Sequence, residues 1–221
     1  MKIYREICEK NLFENGIAYY ATMSAAEGNI LFQSETKHVR NVSPKRYKDF
    51  STGRWCARQA MTRLGIAHKP ICAGTMREPI WPEGITGSIS HTTNYYCAAI
   101  SKEKRSIGVD AQTLDETLTL DEFTLILTHN EISSIKEQCK KNYYEGLTIA
   151  FSCKESIFKS LYPITKQFFD FKDVFIRLDF NKFLFTAILL TNLSSEFGVG
   201  IELTGQFWFF NNLVVSMITI D

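Results

Sequence analysis

Two long helical stripes, each set among short strand-like runs, restrict this chain to architectures in which helices cover sheets. Ser43-Pro44 reads as an N-cap followed by proline at the first helical position, and Phe50, Gly53, Ala57, Ala60, Met61 and Leu64 recur at helical spacing until Gly65. The pattern predicts a helix over residues 44–64, with Arg54 and Arg58 four apart on one flank of its apolar stripe. A second stripe, Leu147, Ala150, Phe151, Ile157, Phe158 and Leu161, predicts a helix over 145–162 stopped by Pro163; periodicity also predicts helix over 120–139. Residues 71–82 are loop-like, whereas 85–90 and 95–100 read as strands joined by the polar turn His91-Thr92-Thr93-Asn94. Ile107-Gly108-Val109-Asp110 reads as a short strand ending in a carboxylate. The tail is strand-rich at 174–178, 183–191 and 200–204, and apolar runs flank Asn211-Asn212 as a plausible hairpin. The polar connector SKEKRS, residues 101–106, marks the expected boundary between an N-terminal half, 1–106, and a C-terminal half, 107–221, of an α/β (α+β) fold.

A chain of 221 residues is long enough to bury a core without covalent staples. Lys and Arg number 25 against 24 Asp and Glu, a formal charge of +1, which argues against a general nucleic-acid binder or a protein held on membranes by charge. That neutrality conceals segregation: between Lys37 and Lys69 nine basic residues face one acid, Asp49, while 106–135 carries six acids and no Lys or Arg. Opposed blocks of this kind suit an anionic ligand and a metal, or an acidic partner; they also suit two solvated faces. Six cysteines form no C-x-x-C or C-x-x-x-H pair and read as reduced, mostly buried thiols. Charges at Lys2, Arg5, Glu6, Glu9 and Lys10 leave no apolar core for a signal peptide, and no apolar stretch of about 18 residues occurs, so a cytoplasmic protein is expected.

No phosphate-loop motif is present, Gly87-Ser88-Ile89-Ser90 is not a nucleophile elbow, and Gly198-Val199-Gly200 has Leu203 where a dinucleotide fingerprint needs glycine. Three features carry candidate chemistry. Asp110, at a strand end, can serve as a hard oxygen ligand for Mg²⁺, although such a residue alone is often a turn former. Glu155 and Lys159 share one helix face, which alone would be a surface ion pair. Ser90 and His91 could hold phosphate oxygens, against the ordinary alternative of a satisfied structural imidazole.

The strings GRWCARQAM, REPIWP, GSISH, IGVDAQ and FSCKESIFKSLYP occur in that order, and the succession resembles the 4′-phosphopantetheinyl transferases of the Sfp/EntD type over residues 43–171. The family pattern runs GR-x-x-A-R, W-P, S-x-S-H, G-[IV]-D and [FW]-S-x-K-E-x-x-x-K. The resemblance implies two similar α/β subdomains related by a pseudo-twofold axis, with coenzyme A between them. It implies transfer of the phosphopantetheine arm of coenzyme A to a serine of an apo carrier protein of a peptide, polyketide or fatty-acid synthase, with release of adenosine 3′,5′-bisphosphate. The wording is nearest the enterobactin-synthetase and mycobacterial branch, so siderophore or other secondary-metabolite biosynthesis is expected, by a monomer without nucleic-acid or transmembrane partners.

Carried over by position, Asp110 and Glu155 are expected Mg²⁺ ligands, with Mn²⁺ as a possible substitute, and Glu155 the expected base for the incoming serine. Arg46, Arg54, Arg77, Ser90, His91, Lys154 and Lys159 are expected on coenzyme A phosphates, Arg58 being a reserve, and Asp110, Glu155 and Lys159 form the expected catalytic set. Many relatives carry a second acid two residues after the aspartate, where this chain has Gln112, which can offer only a carbonyl oxygen, directly or through water. A coenzyme A or carrier-protein binding module without catalysis is the alternative, and it predicts binding without turnover.

Overall fold

The computed structural model describes residues 16–114 and 118–221; Cys8, the charged N-terminal residues, Asp115 and Glu116 lie outside the described residues. The first half contains β1 (Ile17–Thr22), the short helix α1 (Gln33–Thr36), the long helix α2 (Pro44–Arg63), β2 (Cys72–Ala73), β3 (Pro79–Ile80), β4 (Thr86–Thr92) and β5 (Tyr95–Ser101). The second contains β6 (Ser106–Thr113), α3 (Leu120–Ile126), α4 (His129–Cys139), α5 (Tyr143–Thr165), β7 (Val174–Asp179), β8 (Leu184–Leu189), β9 (Glu202–Phe210) and β10 (Leu213–Ile220). The chain is thus a mixed α+β protein of two α/β halves.

Helix α2 forms as its sequence requires. Ser43 Oγ accepts the Arg46 amide at 3.2 Å, Pro44 fills the first position, and beyond Arg63 the chain turns through Gly65 at φ +63°. Its apolar stripe, Cys56, Ala57, Ala60 and Met61, packs on Ala18, Tyr96, Ala98 and Ile100 of the antiparallel sheet β1-β5-β4. Strand β5 is buried on both faces, which is why it reads as an unbroken apolar run. Its other face, Tyr95, Cys97 and Ala99, joins Val109, Ala111, Val215 and Met217 of the five-stranded sheet β6-β10-β9-β8-β7. Helices therefore cover the outer faces of two sheets packed on each other, and β4 runs beside β6 where the halves meet.

Helix α5 approaches β6 unusually closely. Ser152, Ser156 and Ser160 form a wholly buried small-residue stripe, and at Gly108 an added Cβ would lie 1.7 Å from the Ser156 carbonyl oxygen. Ser106 Oγ donates to Ser160 O at 2.6 Å, and Ser216 Oγ donates to Ser152 O at 2.8 Å, so the polar stripe is satisfied.

Several element boundaries differ from expectation. The single helix over 120–139 is two, because Thr128 breaks from helical geometry to cap α4, accepting the Glu131 amide at 3.3 Å while Glu131 Oε2 accepts the Thr128 amide at 2.7 Å. Pro163 lies inside α5 rather than ending it, since near a helix end it removes a single bond, and the left-handed Lys166 closes the helix. His91 belongs to β4 rather than the turn, pairing with Tyr96, and Asn94 at φ +56° makes the turn. Strand β9 runs unbroken over nine residues, and the hairpin at Asn211-Asn212 joins it to β10. Five cysteines lie among the described residues, all free; Cys56, Cys97 and Cys153 are buried. Among the described residues no helix is long and apolar enough to cross a membrane.

Candidate active site

The close packing of α5 on β6 brings Lys159 to Asp110. Asp110 is 2% exposed. Its Oδ1 accepts Lys159 Nζ at 2.6 Å and Ser90 Oγ at 2.9 Å, and its Oδ2 accepts Gln112 Nε2 at 2.9 Å. Ser90, on β4, also accepts Lys159 Nζ at 3.1 Å and the Ala111 amide at 3.2 Å, so its hydroxyl joins the two halves at the site. Residues from β4, β6 and α5 thus share one hydrogen-bonded cluster.

Glu155 lies one helical turn before Lys159, beside this cluster. Burial pushes its carboxyl pKa up and Asp110 adds to the rise, against the opposing pull of Lys159. For Lys159 burial works against the charge, but Asp110 and Glu155 outweigh it and hold the ammonium above the usual lysine value. Glu155, Lys159, Arg77, Phe158, Tyr162 and Phe168 line a largely apolar cavity of about 310 Å³ that draws on both halves. A larger concavity of about 730 Å³ runs along 177–184 and carries none of the expected site residues.

His91 faces a second group of charges. Burial lowers its pKa; Asp49 opposes this, and Lys159, Lys45 and Arg46 reinforce it. Asp49 accepts Lys45 Nζ at 2.9 Å and Tyr96 Oη at 3.3 Å, and stands 3.9 Å from His91 Nδ1. Lys45 and Asp49 escaped the motif-based reading; their i,i+4 spacing on α2 was the available signal.

Three cations expected at the phosphates are wholly or partly engaged within the protein itself. Lys154 is 1% exposed and bonded to Glu131, Phe171 O and Val174 O, on a side of α5 away from the cavity. Arg58 pairs with buried Glu35 at 2.9 Å and donates to Ile30 O at 2.6 Å, so it is no reserve. Arg54 donates Nε to Ile71 O at 3.0 Å and Nη2 to Cys72 O at 3.3 Å and lies over the Phe50 ring, with burial lowering its pKa to about 10; only Nη1 stays outside those bonds. These cations hold the fold because buried guanidinium and ammonium groups must find acceptors.

The donor set at the cleft fits a hard divalent cation. Asp110 and Glu155 are neighbouring carboxylates with one lysine between them, and rotating the Gln112 amide would present an oxygen where its nitrogen now donates. Among the described residues no cluster of three or more His, Cys, Asp or Glu exists, and the carboxylates at this cleft are Asp110 and Glu155.

Two carboxylates, a lysine and further cations beside His91, gathered where two α/β halves meet, are the groups that phosphoryl transfer calls for. A family profile described as the 4′-phosphopantetheinyl transferase N-terminal domain matches residues 34–101, and one described as the 4′-phosphopantetheinyl transferase superfamily matches 106–208. The chain is 31% identical over 174 residues to 4′-phosphopantetheinyl transferase Svp of Streptomyces mobaraensis, covering 73% of this chain and 67% of the relative. It is 30% identical over 172 residues to 4′-phosphopantetheinyl transferase PptT of Mycobacterium tuberculosis, covering 76% and 74%. Enterobactin synthase component D of Salmonella typhimurium is 28% identical over 178 residues, covering 80% and 70%. The chain belongs to the Sfp-type 4′-phosphopantetheinyl transferase family and is an enzyme of that class.

Proposed function

We propose that this enzyme transfers the phosphopantetheine arm of coenzyme A to carrier proteins of a siderophore or related secondary-metabolite synthetase, using the cleft built by Ser90, Asp110, Glu155 and Lys159. The observation that carries the reading is the Lys159–Asp110 contact of 2.6 Å, with Glu155 adjacent and a cavity opening in front of it. The carrier serine oxygen forms a bond to the phosphorus bearing the pantetheine arm, and the bond from that phosphorus to the bridging oxygen breaks, leaving adenosine 3′,5′-bisphosphate. Glu155, one helical turn before Lys159 and lining the cavity, takes the serine proton. Lys159 holds pyrophosphate oxygens while keeping its charge, and Ser90 orients Asp110. Mg²⁺, or Mn²⁺ in its place, held by Asp110 and Glu155 with the Gln112 amide oxygen directly or through water, would supply positive charge at the pyrophosphate.

His91, Arg46 and Lys45 are assigned to the remaining phosphates, with Nη1 of Arg54 as a further donor. Arg77, at the cavity mouth, is assigned to the pantetheine side, where Phe158, Tyr162 and Phe168 offer apolar contact to the arm. The halves part at the start of β6, one residue from the expected 106/107 division, and the enzyme works as a monomer in the cytoplasm. The synthetase assignment rests on relatives such as enterobactin synthase component D. A panel of apo carriers, incubated with coenzyme A and Mg²⁺ and followed by intact mass, tests it. Peptide-synthetase carriers should be modified with kcat/KM at least about tenfold above fatty-acid-type carriers, and the reverse order would contradict the assignment.

A further inference from the structure

Behind the cleft, Glu131 of α4 and Lys154 of α5 form a closed buried node, 0% and 1% exposed. Lys154 Nζ lies 2.9 and 3.0 Å from the two Glu131 carboxylate oxygens and donates to the carbonyls of Phe171 at 2.8 Å and Val174 at 2.5 Å, so one carboxylate and two carbonyls take its protons. Glu131 also accepts the Thr128 amide at 2.7 Å, the Thr128 hydroxyl at 2.8 Å and the Ile176 amide at 2.7 Å. One ion pair therefore ties the start of α4, the middle of α5, the turn at 171–173 and β7. Such a pair is seldom more stabilising than apolar packing, so its value lies in fixing geometry.

The first half repeats the construction. Glu35 of α1 accepts the Phe32 amide at 2.8 Å, the Ile71 amide at 2.7 Å and Arg58 Nη1 of α2 at 2.9 Å. In each half the capping glutamate of a preceding helix joins a cation of the long helix to a backbone amide much later in the chain. In the second half, the next residue on the long helix is Glu155.

We propose that the Lys154–Glu131 node is a positioning device for the transfer step, holding the rotation and height of α5 so that Glu155 and Lys159 face Asp110, and that Lys154 touches no ligand. Successive helical residues differ by about 100°, so a Lys154 anchored toward α4 and β7 leaves Glu155 turned toward the cleft. The Gly108–Ser156 approach holds the β6 side of α5, and the node holds its α4 and β7 side. The inference rests on the assignment of Glu155 and Lys159 as the working groups.

The test compares wild type with Glu131→Asp, which keeps the charge but shortens the reach, and with the paired change Glu131→Gln/Lys154→Met, which removes both charges together. Thermal melts establish folding, and steady-state assays separate kcat from KM for coenzyme A. Each folded variant should lose at least about tenfold in kcat with KM for coenzyme A within about twofold of wild type. Lys154→Arg alone should keep most of the wild-type kcat, because a guanidinium already serves the equivalent place at Arg58. A wild-type kcat in folded Glu131→Asp overturns the proposal, as does a KM for coenzyme A raised about tenfold at constant kcat in the paired variant, the signature of a lost phosphate ligand. Full activity in Glu155→Gln would instead refute the assignment of the working groups.

Discussion

At Gln112 the amide nitrogen donates to Asp110 Oδ2 at 2.9 Å, at the position where the resemblance leads one to expect a second acid. Only with the amide turned over would Gln112 offer its oxygen to a divalent cation held by Asp110. Gln112→Glu should therefore lower the Mg²⁺ concentration for half-maximal rate by about tenfold, measured by metal titration of carrier modification. An unchanged Mg²⁺ dependence would show that this position does not bear on the metal. Residue type and spacing made Asp110, Glu155, Lys159 and Ser90 legible, because the motif order fixed which strand and helix carried them. They did not distinguish Lys154 from Lys159: both lie beside the apolar stripe of α5, and only the fold shows that one faces Glu131 and the other Asp110. Arg58 is the parallel case on α2, since the carboxylate of Glu35 and the Ile30 carbonyl attract the same guanidinium that phosphate would.

Among the elements, α2 was readable nearly to the residue because its cap, proline and terminal glycine are local signals. The break between α3 and α4 was readable too, in Thr128-x-x-Glu131, but helical periodicity continues across it and masks the capping pair. The tight seating of α5 was the least legible, since buried serines resemble a polar face until strand β6 is set against them. Gly108 is where that seating has no slack. Gly108→Ala should cost at least about 3 kcal/mol, measured as the shift in the urea unfolding midpoint, or prevent accumulation of folded protein. A loss below about 1 kcal/mol would mean that α5 can move off β6 at little cost.

Across the whole molecule, the formal +1 resolves into a division of labour between halves. The first half brings Lys45, Arg46 and His91 to one group, and the second brings Asp110, Glu155 and Lys159 to another, with Ser90 crossing between them. Much of the basic block serves architecture, as Arg54 and Arg58 demonstrate, and in the acidic block Glu131 does the same. The sequence showed the two halves but not the inequality of their main sheets, one three-stranded and the other five-stranded, because sheet pairing is a long-range property. The most direct measurement follows the gain of phosphopantetheine mass on an apo carrier with wild type and Glu155→Gln, alongside coenzyme A binding by each. The variant should bind coenzyme A within about threefold of wild type while turnover falls at least about a hundredfold; turnover within about threefold of wild type would contradict the account.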